Sequence, residues 1–150
     1  MSITRDFAIL APVPEMHLIS GKETCDREQK VAFGSQAWEL FREVDKLRNG
    51  DDVEVFIYAS QAEKTILEVT WHGVYVGHKD SRNGRYPGDK KFRPSSSASD
   101  SPTWAVYWEV QELKQLPEAD CIQIVSLRGF RKKSNYQSFI PDKPLLIEHP

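Results

Sequence analysis

The order of hydrophobic patterns predicts a small α+β domain built round a twisted or barrel-like sheet. Three observations lead there. One amphipathic helical stripe runs through "QAWELFREVDKLRNG". Two runs of β-type residues, "VEVFIYAS" and "TILEVTWHGVYVG", flank the short polar turn "QAEK". A third run, "PTWAVYWEVQEL", sets Trp104, Val106, Trp108 and Val110 on one face of a strand.

Element by element, Phe7 to Val13 reads as a first strand, stopped by Pro12 and Pro14, and "LISGKETCDRE" follows as a turn-like segment. Ser35 is a suitable N-cap for the helix. Ala37, Trp38, Phe41, Val44 and Leu47 recur at spacings of three and four, so Trp38 belongs to the buried stripe. Asn49-Gly50 supplies the left-handed stop. In "VEVFIYAS" both faces are partly apolar, which marks a central strand. The returning strand puts Leu67, Val69 and Trp71 on one face until Gly73 interrupts the alternation, predicting a β-bulge there. His78 to Asp100 is a long polar segment, of the kind that is functional or disordered in compact domains. Leu116-Pro117 ends the Trp104–Val110 strand, "CIQIVSL" fits strand or helix, and "PLLIEHP" supplies a last strand.

A chain of 150 residues is long enough for one domain with a real core. Cys25 and Cys121 show no zinc-ligand spacing, so free thiols in a reducing, cytoplasmic setting are expected. The apolar run before Pro12 is too short for the core of a signal peptide, and no segment approaches membrane-spanning length. Charge is unevenly distributed. Met1–His78 holds 8 Lys and Arg against 13 Asp and Glu, whereas Lys79–Pro150 holds 12 against 9. The basic excess lies in two clusters, Lys79, Arg82, Arg85, Lys90, Lys91 and Arg93, then Arg128, Arg131, Lys132 and Lys133. Such clusters fit a phosphate-binding surface and a solvated loop equally.

Catalytic signatures are weak. His17, His72, His78 and His149 are scattered without a metal-binding spacing, and there is no P-loop, GxSxG elbow or GxGxxG, so neither a metal nor a cofactor is expected. Binding signatures are richer. Trp71, Trp104, Trp108, Tyr86, Tyr107 and Tyr136 interleave with the basic clusters, and stacking platforms beside cations are what nucleic-acid sites combine. Trp108 reads as core. Trp71 and Trp104 stand where a strand bends or begins, and serve as core or as pocket wall with equal ease.

"GDDVEVFIYAS", "ILEVTWHGVYVG" and "WAVYWEVQELKQLPE" fall in the order seen in PUA-like domains, and the chain resembles the EVE and ASCH branches of that superfamily. The resemblance implies a pseudobarrel of five or six strands with helices packed at its rim. It also implies a nucleic-acid-binding module that takes a base of RNA or DNA, a modified one included, flipped into a pocket. Carried over residue by residue, it gives Gly50 and Asp51 a turn role and puts Ser60 at the mouth of that pocket. Trp71 and Trp104 are then the stacking walls, and Arg85, Arg93, Arg128, Arg131, Lys132 and Lys133 the phosphate rim. Two alternatives stand beside this. One is a small hydrolase using an ASCH-type pocket with Lys22, Thr24 and Asp26 as reactive groups. In "GKETCDRE", however, Glu23, Asp26 and Glu28 replace the Lys, Glu and Arg of the ASCH motif. The other is a small-molecule-binding domain whose aromatics line a ligand cleft.

Overall fold

A computed structural model describes residues 2–97, 103–131 and 141–150. The expected α+β class is what it shows: a mixed six-stranded sheet, a two-stranded ribbon, two helices and four short 3-10 turns among the described residues. Strand β1 (Ile3–Pro14) leads into helix α1 (Glu15–Glu28), strand β2 (Val31–Ser35) and helix α2 (Trp38–Arg48). Strands β3 (Asp52–Ser60), β4 (Glu68–Val69), β5 (Trp71–Asp80), β6 (Val106–Gln115), β7 (Ile122–Gln123) and β8 (Leu145–Ile147) follow. The large sheet runs β2-β6-β5-β3-β1-β8, and β4 pairs with β7. The β1–β3 pair is parallel and the other pairs of the sheet are antiparallel.

Strand β1 shows why the sheet is central. Phe7, Ile9, Ala11 and Val13 enter one core cluster with Leu18 and Cys25 of α1, Phe41 and Val44 of α2, and Trp108 of β6. Ala8 and Leu10, pointing the other way, join Phe56, Val69, Leu127 and Ile147 in a second cluster. A strand covered on both faces must be apolar at nearly every position, as "FAILAPV" is.

Gly73 behaves as its place in the alternation predicts. The β5–β6 register shifts between His72 and Val74, and a Cβ on Gly73 would stand 2.5 Å from Val110 Cγ1. The bulge thus lets β5 and β6 approach closely where the sheet bends.

Helix α1 corrects the expectation of a turn after β1, and with it the count of one main helix. Its buried positions are Leu18, Gly21, Thr24 and Cys25, a stripe at helical spacing in which Leu18 is the one large apolar residue. Gly21 is a packing residue, because a Cβ there would stand 3.0 Å from the Phe33 ring of β2. Helix α2 begins later than the expected Ser35 cap, yet the Ser35 hydroxyl still accepts from the Ala37 N–H at 3.0 Å. Asn49 and Gly50 take positive φ at its end. Trp38 is not in the core: it is 42% exposed with the Arg42 guanidinium 4.8 Å from its ring. Phe41 and Val44 carry the burial of this helix.

Both cysteines are free thiols, Cys25 buried and Cys121 half-buried. No helix among the described residues is long and apolar enough to cross a membrane. The C-terminal segment is tied to the sheet by a three-residue cluster. Glu54 Oε1 lies 2.9 Å from His72 Nε2, its other oxygen bonds His149 Nε2, and the Phe56 ring meets both imidazoles edge-on.

Candidate functional site

Strands β1, β2 and β3 end at Pro14, Ser35 and Ser60, and beyond these ends lies a cavity of about 590 Å³. Phe33, Trp104 and Trp108 supply its aromatic surface, Pro12 and Pro14 one rim, and Pro141–Pro144, just before β8, another. That volume falls in the range of small-molecule pockets, roughly 300–1,000 Å³.

Trp104 precedes β6 and is fixed from several sides. Its backbone N–H donates to the Gly84 carbonyl at 3.0 Å, and the Tyr107 hydroxyl donates to the same carbonyl at 2.7 Å. Gly84 belongs to a two-residue turn in which Asn83 and Gly84 both take positive φ and Arg82 and Arg85 exchange backbone hydrogen bonds. This matches the type I′ hairpin turn that Asn-Gly favours. The Gln36 side chain clamps the backbone on either side of the indole, donating to the Thr103 carbonyl at 3.2 Å and accepting from the Ala105 N–H at 3.0 Å. The ring itself packs against Gly34 of β2. A Cβ at Gly34 would stand 2.2 Å from Trp104 Cδ1 and 2.4 Å from Cγ, so only glycine leaves room for the indole there.

The polar groups of the lining divide into those already engaged and those left open. His17 Nδ1 lies 2.7 Å from Ser96 Oγ, and burial, reinforced by nearby Arg93, pushes the imidazole pKa down toward the neutral form. Arg93 donates from Nη1 to the Ala32 carbonyl at 2.6 Å and from Nη2 to the Ser97 carbonyl at 3.3 Å, and its guanidinium sits 4.9 Å from the Tyr107 ring. Burial lowers its pKa from the usual arginine value, yet an arginine remains charged at neutral pH. By contrast, among the described residues the Ser60, Gln61, Asp142 and Lys143 side chains have no hydrogen-bond or ion-pair partner. The cavity therefore offers an aromatic platform, one open hydroxyl, one open amide and a carboxylate–ammonium pair of open charges.

Three of the residues singled out in the sequence, Ser60, Arg93 and Trp104, come together in this cavity. Others lie elsewhere. Trp71 is 4% exposed, belongs to the core cluster, and reaches only a separate cavity of about 190 Å³ beside Ile19 and Ile66. Arg85 holds the Asn83-Gly84 turn through its backbone. Arg128 Nη1 is 3.9 Å from Glu148, and Arg131, at positive φ, places its guanidinium 4.7 Å from the Phe130 ring. Lys132, Lys133 and Tyr136 fall outside the described residues. Of the reactive groups named for a hydrolase, Lys22 and Asp26 pair with each other at 2.9 Å on exposed α1, while buried Thr24 donates to the Ser20 carbonyl. None of the three lines this cavity. Among the described residues no group of three His, Cys, Asp or Glu side chains is arranged to hold a metal ion.

Sequence reasoning missed His17, Gly34, Gln36 and Pro141–Pro144. The two prolines around "DK" were a legible hint of a rigid wall, but no local signal marks Gly34 as a close approach. No protein-family model, curated protein or solved structure gives a significant match to this chain.

Proposed function

We propose that the chain is a nucleic-acid-binding module of the PUA-like, EVE-type kind, its sheet curling as the pseudobarrel of that superfamily. In this reading the cavity at the ends of β1, β2 and β3 takes one unstacked base of RNA or DNA, modified bases included. The single observation that carries the reading is the meeting of Trp104, Ser60 and three further open polar side chains in one cavity. An aromatic face beside hydrogen-bonding groups with no internal partner is the composition a flipped base requires.

The energetics select the substrate form. Extruding a base costs a few kcal/mol, least where the base is unpaired or mismatched. Stacking on one aromatic ring returns about 1–3 kcal/mol, and each net hydrogen bond to the base edge about 0.5–1.5 kcal/mol. Trp104 alone offsets the cost in a single strand, whereas a paired base needs the ring together with Ser60, Gln61 and Asp142. The module is thus expected to favour single-stranded or locally opened sites.

The test is fluorescence anisotropy of labelled single- and double-stranded oligonucleotides, plain and carrying one methylated base, against wild type, Trp104→Ala and Ser60→Ala. The reading predicts binding by wild type, with Trp104→Ala weaker by about five- to 150-fold from the stacking range above. Equal binding by wild type and Trp104→Ala refutes it.

A further inference from the structure

We infer that the nucleic-acid backbone leaving the cavity runs over a lysine face formed by Lys30, Lys79, Lys90 and Lys91 around Phe92, and not over Arg128 and Arg131. This rests on the base-binding reading of the cavity and names the surface that its phosphates use.

The first ground is continuity. The segment from the 3-10 turn Lys90–Phe92 to Ser97 begins in that lysine face and ends in the cavity wall, which Arg93 and Ser97 line. Its path is fixed by bonds of its own. The Asp89 carboxylate accepts from the Lys91 N–H at 3.0 Å and Arg93 grips the Ala32 and Ser97 carbonyls. Ser96 is joined to His17 and Ser20 of α1, and Ser95 to Ser20. A phosphate on the lysines and a base in the cavity would therefore rest on one fixed stretch of chain.

The second ground is that Lys30, Lys79 and Lys91 form one connected patch, with Lys90 beside Lys91 in the 3-10 turn. Lys79 Nζ and Lys30 Nζ lie 3.5 and 3.4 Å from the two oxygens of Glu109. Lys30 Nζ is also 4.4 Å from the Phe92 ring centroid, and Lys91 Nζ is 5.2 Å from the same centroid. Glu109 is buried and also accepts from the Tyr86 hydroxyl at 2.5 Å. One inward carboxylate thus holds the ammonium groups of Lys30 and Lys79 together, while Lys79, Lys90 and Lys91 remain exposed. Two ammonium groups flanking a half-buried ring give both charge and a low-dielectric floor, which strengthens attraction to phosphate. Besides Glu109, Asp89 caps the turn and Asp80 Oδ1 lies 3.7 Å from His78 Nε2.

The third ground concerns the arginines. Arg93 lies at the cavity but is occupied by two carbonyls and Tyr107, so it shapes the wall rather than meeting phosphate. Arg128 and Arg131 sit beside Glu148 and Phe130, and neither lines the cavity nor belongs to the segment that leads into it.

The test compares wild type, Lys90→Ala with Lys91→Ala, Arg131→Ala and Trp104→Ala, each binding a fluorescein-labelled single-stranded dodecamer across a salt series, with thermal unfolding as the folding control. On a single strand each lost phosphate contact lowers the slope of log K against log salt by about 0.7. The double lysine variant is expected to lose slope by that amount per lysine while its unfolding temperature holds, and Arg131→Ala to keep the wild-type slope. A wild-type slope in the double lysine variant overturns the inference. If Trp104→Ala still abolishes binding in that case, the base pocket stands and only the track is wrong. If wild type binds no oligonucleotide at all, the pocket reading and the track fall together.

Discussion

Replacing Gly34 by alanine separates the cavity's aromatic wall from the fold that carries it. The new Cβ would stand 2.2, 2.4 and 2.6 Å from Trp104 Cδ1, Cγ and Nε1, far inside van der Waals contact, so the indole must leave its seat. Gly34 lies within β2, opposite Tyr107 in the β2–β6 register, and its backbone needs no left-handed conformation. Alanine is therefore acceptable to the strand itself. On backbone entropy alone it stabilises a strand interior by roughly 0.5–1 kcal/mol, which offsets part of the cost of displacing a half-buried ring. The fold should survive while the stacking platform is lost. Stacking is worth about 1–3 kcal/mol per base, which converts to a loss of affinity between about fivefold and 150-fold. The assay pairs anisotropy titration of a labelled single strand with far-UV circular dichroism and thermal unfolding. Two outcomes would refute the reasoning. One is wild-type affinity in Gly34→Ala with the Trp104 environment unchanged. The other is a variant that has lost its fold, because the strand is expected to accept alanine.

Two further predictions follow from groups around the same sheet. Removing Arg93 leaves the half-buried Ala32 and Ser97 carbonyls without a donor, so Arg93→Ala should cost about 1–3 kcal/mol of stability. Arg93→Lys should recover only part of it, because an ammonium cannot reproduce the two-pronged geometry; full recovery in urea unfolding would show that only charge matters. Burial acts to raise the Glu54 pKa, but hydrogen bonds and charge from His149 and His72 outweigh it and hold the carboxyl below the usual glutamate value. The unfolded chain then takes the proton first as pH falls, so Glu54 contributes stability that is present above about pH 4.3 and fades below it. The gap in melting temperature between wild type and Glu54→Gln should shrink on acidification through that value; a gap that widens would contradict the clamp on His149.

The parts of the fold that were legible are those in which large side chains repeat at a fixed period. The alternation through Val53–Ser60 and Val106–Val110 marked β3 and β6, and its interruption at Gly73 marked the bulge. Helix α1 was hidden because its buried stripe is Leu18, Gly21, Thr24 and Cys25, which carries little hydrophobic contrast. Trp38 misled in the opposite sense, since its ring is shielded by Arg42 on the surface rather than by the core. At the site, Ser60 came from the resemblance and Trp104 from its place at a strand start. Arg93 was picked out for its charge, but charge density does not reveal that a guanidinium is held by two backbone carbonyls. Gly34, Gln36 and Pro141–Pro144 act through approaches between segments distant in the chain, and no local pattern encodes those.

The most direct measurement follows the four tryptophan indole N–H signals by nuclear magnetic resonance while a single-stranded oligonucleotide is added. A base stacked in the cavity shifts the Trp104 signal strongly and saturably, leaves Trp71 in the core and Trp38 on α2 in place, and loses the effect when Trp104 is replaced. Saturable binding during which the Trp104 signal does not move would place the nucleic acid elsewhere on the protein and contradict the account.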